Sequence, residues 1–407
     1  MQRVTVVGLG YMGLPTALLI AKSGQYEVVG YDKSRPKLET LSRGQLPFDE
    51  PGLDELFQAA RERFTVTAEL GPSDIFLLAL PTPIDAEHRC DLSFLHSACD
   101  ALAPVVEDDN IIILESTVSP GTTQSMKEKL ERDSGKRILA SYVSEKATPG
   151  NTLHEMVHND RIIGVLDDAA KDRTTQLYKS FVRGELCVTD AATAEATKLF
   201  ENTYRDVNIA LANELAEVAR ARGIDVREVI ALANRHPRVN ILSPGPGVGG
   251  HCIPIDPWFL VQDIEPGHLI RLSRGINDQR PKDVAARVQR ELESTPGAKV
   301  AVLGTAYKAD IDDDRESPAH AIIEGLRAAG FEVLAHDPHV HSSTVSRDLD
   351  SVLEGARCVV LVTDHKAYED ITFERCATGH LLVDTRGLWQ YKDLAGTGSR
   401  YVRFGCD

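Results

Sequence analysis

The stretch that decides the fold is RVTVVGLGYMG, residues 3–13. Its apolar run predicts a buried strand, and the apolar segment after it, LPTALLIAKSG, predicts a helix. Between them, Gly8 permits a tight turn, Gly10 lets backbone amides approach a pyrophosphate, and Gly13 allows the helix to pack closely on the strand. A second predicted strand, YEVVGYD, ends at Asp32, whose carboxylate can accept hydrogen bonds from ribose hydroxyls. The pattern predicts a dinucleotide-binding fold that prefers NAD, although the adjacent lysine keeps NADP open.

Strand-like segments continue at 74–80 and 110–116, and ILASYVS and RIIGVL are expected to complete the sheet before about residue 170. Helical stretches separate these segments, and such alternation is typical of a parallel, doubly wound sheet. A long helix is expected over 193–222, followed by a second helix, DVREVIALAN, a Gly/Pro-rich loop, and further helix over 257–293. The middle of the chain is therefore predicted to be helical.

The opening pattern recurs at Lys299. KVAVLGTAYK resembles RVTVVGLGYM, and FEVLAHDPHV resembles YEVVGYDKSR, which places Asp337 like Asp32. The predicted fold class is α/β, with two Rossmann-like doubly wound domains joined by a long-helix central domain. The predicted domains are an NAD-binding domain over 1–180, a helical domain with the Gly/Pro loop over 181–292, and a second Rossmann-like domain over 293–407.

Composition narrows the classes of function. A chain of 407 residues is too long for one compact core, and a formal net charge of −16 argues against nucleic acid or an anionic membrane surface as a partner. No segment reaches the length of apolar sequence that a membrane span needs. Seven cysteines are scattered without zinc-ligand spacing, so we expect no metal site and a reducing, cytoplasmic setting.

Two predicted strand ends carry threonines. Thr82 follows one strand and Thr117 follows the next, and in open parallel sheets ligands bind beyond the carboxyl ends of the strands. Isolated threonines commonly serve only in turns or caps. Because the cofactor is expected to lie over these strand ends, we expect both threonines to contact it.

The long predicted helix places Lys198, Asn202 and Arg205 on one stripe. Such a stripe is often just the solvated face of an amphipathic helix. The apolar neighbours of these residues, among them Tyr204 and Leu211, instead suggest burial, and a buried lysine needs a partner or a ligand. A lysine and an amide four residues apart can both point at one substrate oxygen.

The Gly/Pro-rich loop PGPGVGGHCIPIDPW, residues 244–258, contains Cys252. Most single cysteines are inert packing residues. Here the glycines leave backbone amides available to hold a phosphate or sugar, and a helix starting near Pro257 would favour a thiolate. A nicotinamide cofactor together with a thiolate can oxidise an aldehyde through a thioester. Glu145 and Asp256 are candidate bases toward water, or else a polar strand end and an Asx-Pro turn.

Six motifs of the chain together resemble those of one known family. GLGYMGLPTA, PTP, ESTVSPGT, TKLFEN, the Cys252 loop and YKADIDDDRESP occur in order along almost the whole chain and resemble the nucleotide-sugar 6-dehydrogenase family. This family contains UDP-glucose and GDP-mannose dehydrogenases. The resemblance implies oxidation of a sugar C6 alcohol to a carboxylate with two NAD+ and one water. The implied substrate is a UDP-N-acetylhexosamine, first UDP-N-acetyl-D-mannosamine, with UDP-N-acetylglucosamine or UDP-glucose as alternatives.

The resemblance also implies roles for individual residues. Cys252 would add to the C6 aldehyde, Lys198 and Asn202 would stabilise the oxyanion, and Glu145 and Asp256 would handle protons and water, with Thr117 nearby. The implied NAD contacts, beyond the three glycines, are Tyr11, Met12, Asp32, Thr82, Thr117 and Arg315. The implied substrate contacts, beyond Lys198 and Asn202, are Lys146, Ala147, Arg205, His236, Arg238, Gly249, Tyr307, Lys308 and Arg386.

One departure from the family pattern concerns the substrate. Relatives usually carry Pro-Glu-Arg where this chain has Ser144-Glu145-Lys146, so a point charge replaces a forked guanidinium.

Two rival functions would leave some of the candidate catalytic residues without a role. A two-electron hydroxy-acid dehydrogenase would not need Cys252, and a non-catalytic NAD sensor would not need Lys198, Asn202 and Cys252 together. The Ala-rich long helix is an expected interface of a homodimer or a higher homo-oligomer.

Overall fold

A computed structural model describes residues 1–148, 150–292, 295, 297–390, 394 and 398–404. Contacts between Cα atoms divide the chain into two compact units, Met1–Glu201 and Asn202–Asp407. Each unit contains one β-sheet with helices on it.

The strands of the first unit form an eight-stranded sheet in the order β3-β2-β1-β4-β5-β6-β7-β8. Their bounds are β1 Gln2–Val7, β2 Tyr26–Tyr31, β3 Phe64–Thr67, β4 Ile75–Leu78, β5 Asn110–Leu114, β6 Ile138–Val143, β7 Arg161–Val165 and β8 Leu186–Asp190. The helices of this unit are α1 Gly13–Lys22, α2 Arg35–Ser42, α3 Leu53–Ala60, α4 Ser93–Leu102, α5 Thr122–Ser134, α6 Thr152–His158 and α7 Asp168–Lys179.

Alternate residues of this sheet face two separate apolar clusters. Val4 and Val6 of β1 belong to one cluster with residues of α1, whereas Val7 belongs to another with residues of α4 and α5. Helices therefore cover both faces, as expected for a doubly wound sheet. The order reverses between β1 and β4, and this reversal is where such sheets bind ligands.

The predicted parallel sheet needs three corrections. β6 and β7 pair antiparallel, with Ser141 opposite Val165. β3 and β8 were not predicted, and β8 extends the sheet beyond residue 170. Both missed strands are at the edges of the sheet and are only partly buried, so they lack the continuous apolar run that marks the central strands.

The central helices are α8 Ala191–Arg222, which begins in the first unit and ends in the second, α9 Val226–Ala233, α10 Asp256–Val261 and α11 His268–Glu291, of which α8 and α11 are long. The helix predicted over 257–293 is present as α10 and α11, and the segment between Val261 and His268 interrupts it. Gly267 there has a φ of 107°, which a helix does not permit. Glu293, where the prediction ended and the third predicted domain began, lies outside the described residues.

The C-terminal sheet has the order β10-β9-β11-β12-β13, and all four pairings are parallel. Its strands are β9 Lys299–Leu303, β10 Glu332–His336, β11 Cys358–Leu361, β12 Leu381–Asp384 and β13 Arg400–Arg403, and its helices are α12 Pro318–Ala328 and α13 Leu349–Leu353. Val300 and Val302 pack in a cluster with α11 and α12, and Ala301 and Leu303 pack in a cluster on the opposite face. The predicted fold class, two Rossmann-like domains and a helical central domain, is confirmed.

Within the described residues, no helix combines the length and apolar character that a bilayer crossing requires.

Candidate functional site

The turn from β1 to α1 has the geometry of a phosphate-binding turn. Gly8 has a φ of 97°, and a Cβ there would lie 2.3 Å from the carbonyl oxygen of Ala79. A Cβ at Gly13 would lie 1.9 Å from the carbonyl oxygen of Gly8, so only glycine lets α1 start this close to β1. Gly10 differs, because a Cβ there would meet no atom within 4 Å. The protein's own packing therefore does not require glycine at position 10, which fits the expected close approach of a ligand there.

Asp32 follows β2 beside this turn. Its carboxylate accepts hydrogen bonds from the backbone N–H of Leu9 at 3.0 Å and of Ser34 at 2.8 Å, and from Lys37 Nζ at 2.7 Å. Burial opposes ionisation, but these hydrogen bonds, led by Lys37, hold the pKa of Asp32 below its ordinary value. Lys33, which kept NADP open, donates instead to Ser97 at 2.8 Å. The sequence interpretation overlooked Lys37, whose position one turn into α2 was the available signal.

The other predicted cofactor residues of the first unit lie around the same sheet end. Thr82 follows β4 and Thr117 follows the adjacent β5, and both threonines are half-buried. Met12 precedes the first residue of α1, and the ring of Tyr11 stacks on Phe48 with 4.2 Å between centroids. The glycine turn, Asp32 and the two threonines thus lie at the carboxyl ends of the neighbouring parallel strands β1, β2, β4 and β5, which fits a dinucleotide.

Glu145 lies in the segment after β6 and is 9% exposed. One carboxylate oxygen accepts hydrogen bonds from the backbone N–H groups of Lys146 and Ala147, both at 2.6 Å, and the other forms an ion pair with Arg161. Arg161 is itself 1% exposed. The Lys146 ammonium pairs with Glu201. The sequence interpretation missed Arg161, since a strand-initial arginine carries no local sign of its partner.

On α8, Lys198 and Leu199 are buried, whereas Arg205 is exposed. The burial expected from the neighbours is wrong at Tyr204, which is 63% exposed, and at Leu211, which is 48% exposed. Apolar residues on a helix can form a second, exposed face in addition to the face that packs on the core. The sequence does not distinguish the two faces.

The Asn202 side chain has a defined partner, Asp256, in its own unit, the second. Its Nδ2 donates a hydrogen bond to Oδ2 of Asp256 at 2.5 Å. Asp256 is 2% exposed and is the first residue of α10. The backbone N–H of Asp256 donates to the carbonyl oxygen of Cys252 at 2.9 Å, so the cysteine and the carboxylate stand one turn apart. Cys252 itself is half-buried.

The Gly/Pro loop is held by its backbone at Gly245. Its N–H donates to Asn213 Oδ1 at 2.9 Å, and Arg280 Nε donates to its carbonyl oxygen at 3.4 Å. Asn213 also donates to Asn277 of α11 at 3.0 Å, and all three of these polar side chains are buried. This polar network between α8 and α11 fixes the start of the loop. It was not predicted, because each of these hydrogen bonds joins residues more than thirty positions apart in sequence.

The remaining loop glycines pack against the C-terminal part of the same unit. A Cβ at Gly249 would lie 2.8 Å from Cβ of Tyr307, and the N–H of Gly250 donates to the carbonyl oxygen of Arg315 at 3.1 Å. A Cβ at Gly245 would lie 3.1 Å from Nη1 of Arg386. Packing within the protein thus already requires glycine at position 249. The loop that precedes Cys252 therefore packs beside Tyr307 and Arg386.

Other predicted contacts are more exposed. His236 and Arg238 lie beyond α9, both exposed, and the N–H of Arg238 donates to His236 Nδ1 at 3.3 Å. Lys308 is exposed, and the exposed Arg315 forms an ion pair with Asp313 at 2.6 Å. These side chains are accessible to an anionic ligand.

Asp310, His339 and His365 place three ligand-type atoms within 4.8 Å of one another in the described residues. Nδ1 of His365 accepts the N–H of Asp310 at 2.9 Å, and its Nε2 lies 3.0 Å from Oδ2 of Asp337. Both ring nitrogens therefore serve the fold, and the cluster is best explained as structural.

Comparison with known proteins agrees with this organisation. The UDP-glucose/GDP-mannose dehydrogenase family is matched by its NAD binding domain at residues 2–182, its central domain at 192–279 and its UDP binding domain at 301–391. The UDP-N-acetyl-D-mannosamine dehydrogenase of Methanocaldococcus jannaschii is 42% identical over 92% of this chain and 88% of its own length. The NDP-N-acetyl-D-galactosaminuronic acid dehydrogenase of Ralstonia nicotianae is 40% identical over 97% of this chain and 98% of its own.

Among solved structures, the UDP-D-ManNAc dehydrogenase of Pyrococcus horikoshii superposes with a TM-score of 0.93 at 38% identity, covering 99% of both chains. Three consecutive family domains and relatives near 40% identity leave one conclusion. The chain belongs to the UDP-glucose/GDP-mannose dehydrogenase family and is an NAD-dependent nucleotide-sugar dehydrogenase.

Proposed function

We propose that this protein oxidises the C6 alcohol of UDP-N-acetyl-D-mannosamine to the carboxylate, with two NAD+ and one water consumed for each sugar. The observation that carries the proposal is the HCIPID segment, in which Cys252 precedes Asp256 by one turn and Asp256 binds Asn202. The similarity to two UDP-N-acetyl-D-mannosamine dehydrogenases supports the choice of sugar.

The chemistry divides into two oxidations and a hydrolysis. NAD, when bound, supplies a hydride acceptor for each oxidation. Between them, the Sγ of Cys252 bonds to C6 of the aldehyde, and the second oxidation leaves a thioester. Water then cleaves the C6–S bond, which yields the carboxylate and returns the thiol. A cysteine is suited to this role because its sulfur is both a strong nucleophile and a good leaving group.

The surrounding residues stabilise charge and move protons in this proposal. Lys198 and the second amide hydrogen of Asn202 donate to the oxygen on C6, while Asp256 fixes the orientation of that amide. Glu145, held by two backbone N–H groups and Arg161, accepts a proton from the C6 alcohol or the hydrolytic water.

The proposal also assigns residues to the nucleotide and to the sugar. In the second unit, Tyr307, Gly249 and Arg386 beside the loop bind the UDP-sugar, and the accessible His236, Arg238 and Lys308 contact its anionic groups. In the first unit, Lys146 contacts the sugar only if it leaves Glu201, with which it is paired. A cytoplasmic setting fits both NAD and a nucleotide sugar.

A homodimer forms through the exposed apolar face of α8 in this proposal. Tyr204, Leu211 and Val218 are 63%, 48% and 52% exposed, and their spacing places them along one side of the helix. Leu269 and Leu272 of α11 are also more than 60% exposed. Exposed apolar residues in such numbers are typical of protein–protein contact sites.

The test is stoichiometry with purified protein, using UDP-N-acetyl-D-mannosamine, UDP-N-acetylglucosamine and UDP-glucose in parallel. We expect two NADH per sugar consumed and the highest kcat/KM for the mannosamine compound. Cys252→Ala should abolish net turnover, whereas the control Cys187→Ala, at a half-buried cysteine of β8, should retain it. One NADH per sugar, or full activity of Cys252→Ala, would overturn the thioester route. Preference for another sugar would overturn only the substrate assignment.

A further inference from the structure

Glu115 is a second buried carboxyl group in the first unit, and the reaction proposed above does not use it. It directly follows β5 and is 6% exposed. Its Oε2 accepts a hydrogen bond from Oγ1 of Thr16 on α1 at 3.3 Å, and its Oε1 accepts one from the hydroxyl of Tyr178 on α7. Thr16 and Tyr178 are both fully buried. The carboxyl group therefore lies within the sheet–helix layers, two residues before Thr117.

The charged groups that face Glu115 are Arg161 on β7 and Glu145 after β6. Arg161 interacts electrostatically with both carboxyl groups but forms its ion pair with Glu145 alone. Its remaining hydrogen bonds go to the carbonyl oxygens of Met156 at 2.9 Å and Ser144 at 3.3 Å. Within the described residues, one buried positive charge thus serves two buried carboxyl groups.

Two carboxylates cannot both ionise cheaply beside one buried guanidinium. Burial raises the pKa of Glu115 most strongly, the hydrogen bond from Tyr178 lowers it, and the charge of Glu145 raises it further, so that the pKa is about 7. Arg161 stays charged because both carboxyl groups raise its pKa against the opposing effect of burial. Glu115 is therefore the member of the cluster that changes charge near neutral pH.

We propose that Glu115 is a positioning residue that controls Glu145 through Arg161. While Glu115 is protonated, Arg161 is committed to Glu145 and holds its carboxylate in place. When Glu115 ionises, the positive charge of Arg161 is divided between two carboxylates, and Arg161 holds Glu145 less firmly. The positioning of the catalytic base thereby changes as the pH rises through the titration of Glu115. This inference rests on the role of Glu145 in the proposed function.

Two variants test the control of Glu145 in opposite ways. Glu115→Gln keeps the shape and a hydrogen-bonding oxygen but removes the titration, so the inflection of the kcat–pH profile near pH 7 should disappear. Tyr178→Phe removes the hydrogen bond that lowers the pKa of Glu115, so the inflection should move to higher pH. A merely structural role would lower activity without moving the inflection, and that result would overturn the proposal.

The control is Glu50→Gln. Glu50 is also buried in the first unit, and it accepts hydrogen bonds from the backbone N–H groups of Gly150 and Thr152 at 3.1 and 2.8 Å. Its loss disturbs the segment beyond Glu145 without touching the Arg161 cluster. We expect Glu50→Gln to keep the inflection near pH 7, whatever its effect on kcat, and loss of the inflection would contradict the proposal.

A measurement without substrate separates this inference from the proposed function. Infrared difference spectra of the full chain between about pH 6 and pH 8 should show a protonated carboxyl band that disappears as Glu115 ionises and is missing in Glu115→Gln. If that band is present but no UDP-sugar is oxidised, the proposed function fails and the titration stands. If the sugar is oxidised and the band is missing in the wild-type chain, the inference fails and the function stands.

Discussion

Asp32 in the N-terminal sheet and Asp337 in the C-terminal sheet both follow the second strand of a strand–glycine–strand pattern. Asp32 is partly exposed and is contacted by two backbone N–H groups and a lysine. Asp337 is fully buried, and its oxygens accept from the backbone N–H groups of Thr305, Ala306, His339 and Val340 at 2.7–3.0 Å and from Nε2 of His365. The Asp32 carboxylate is accessible to a ligand, whereas the Asp337 carboxylate is fully bound by groups of its own domain.

The glycine turns differ in the same direction. Gly8 and Gly304 share a positive φ, 97° and 87°, and in both cases a Cβ would collide with the neighbouring strand end. In the first domain, α1 begins directly at Gly13, whereas the equivalent position is Ala309 and α12 begins only at Pro318. Within the described residues 304–317 no helix begins at the second glycine turn, so this turn lacks the helix N-terminus that favours a pyrophosphate. A shared strand–glycine–Asp pattern specifies a fold and leaves its ligand open.

The largest effect that tests this contrast is expected for Asp337→Ala. The substitution leaves four backbone N–H groups and a buried histidine nitrogen without their acceptor, so unfolding free energy should fall by about 3–5 kcal/mol. Denaturant unfolding measures it, and Asp337→Asn, which keeps one acceptor oxygen, should lose less. An undiminished unfolding free energy for Asp337→Ala would break the comparison.

The stability that Asp337 contributes also depends on pH. Burial opposes ionisation of Asp337, but His365 and the backbone N–H groups hold its pKa well below its ordinary value. A depressed folded-state pKa contributes stability above the unfolded-state value near 3.9, and that stability is lost as the pH falls further. The difference in stability between wild type and Asp337→Asn should therefore shrink below about pH 4.

Asp32→Ala should instead weaken the binding of NAD. Removing a charged acceptor of ribose hydroxyls costs about 1.5–3 kcal/mol, which is on the order of a 10- to 100-fold increase in the Kd for NAD. Titration calorimetry measures this change, with UDP binding as the matched control that should stay constant. Unchanged NAD affinity would mean that Asp32, like Asp337, serves mainly the fold.

A smaller effect is expected for Gly13→Ala. The added Cβ meets the carbonyl oxygen of Gly8, so α1 must shift and the unfolding free energy should fall by about 1–3 kcal/mol. NAD affinity should fall as well, because the helix start moves. The reverse control, Ala309→Gly, should cost only about 0.4–1 kcal/mol. Equal losses at the two positions would remove the distinction between the turns.

Much of the fold could be predicted, because its signals are local. Buried central strands such as β4 and β5 are continuous apolar runs, and the glycine turns and the long helix α8 can be recognised from their composition. The edge strands β3 and β8, the antiparallel pairing of β6 with β7, and the break before α11 were not predicted. Edge strands are only half covered, and pairing direction depends on partners that are distant in sequence.

The candidate site divides in the same way. Residues such as Gly10, Asp32 and Cys252 could be selected because their chemistry and spacing are unusual within a short stretch. Arg161 and Asn213 could not, since nothing beside them in the chain reveals the group they bind. Their partners lie sixteen and thirty-two residues away in sequence.

By itself, the sequence determined that two glycine-turned sheets flank long helices, that the first turn can hold a dinucleotide, and that a cysteine ends a glycine-rich loop. Only the tertiary structure decided that Asp337 is hydrogen-bonded within its own domain, that Asp256 binds Asn202, and that one buried arginine interacts with both Glu145 and Glu115. The physical reason is the distance along the sequence over which each property is set. Backbone conformation and apolar periodicity are set by neighbours in sequence, whereas burial, hydrogen-bond partners and the pKa of a buried group are set by whatever the folded chain brings against them.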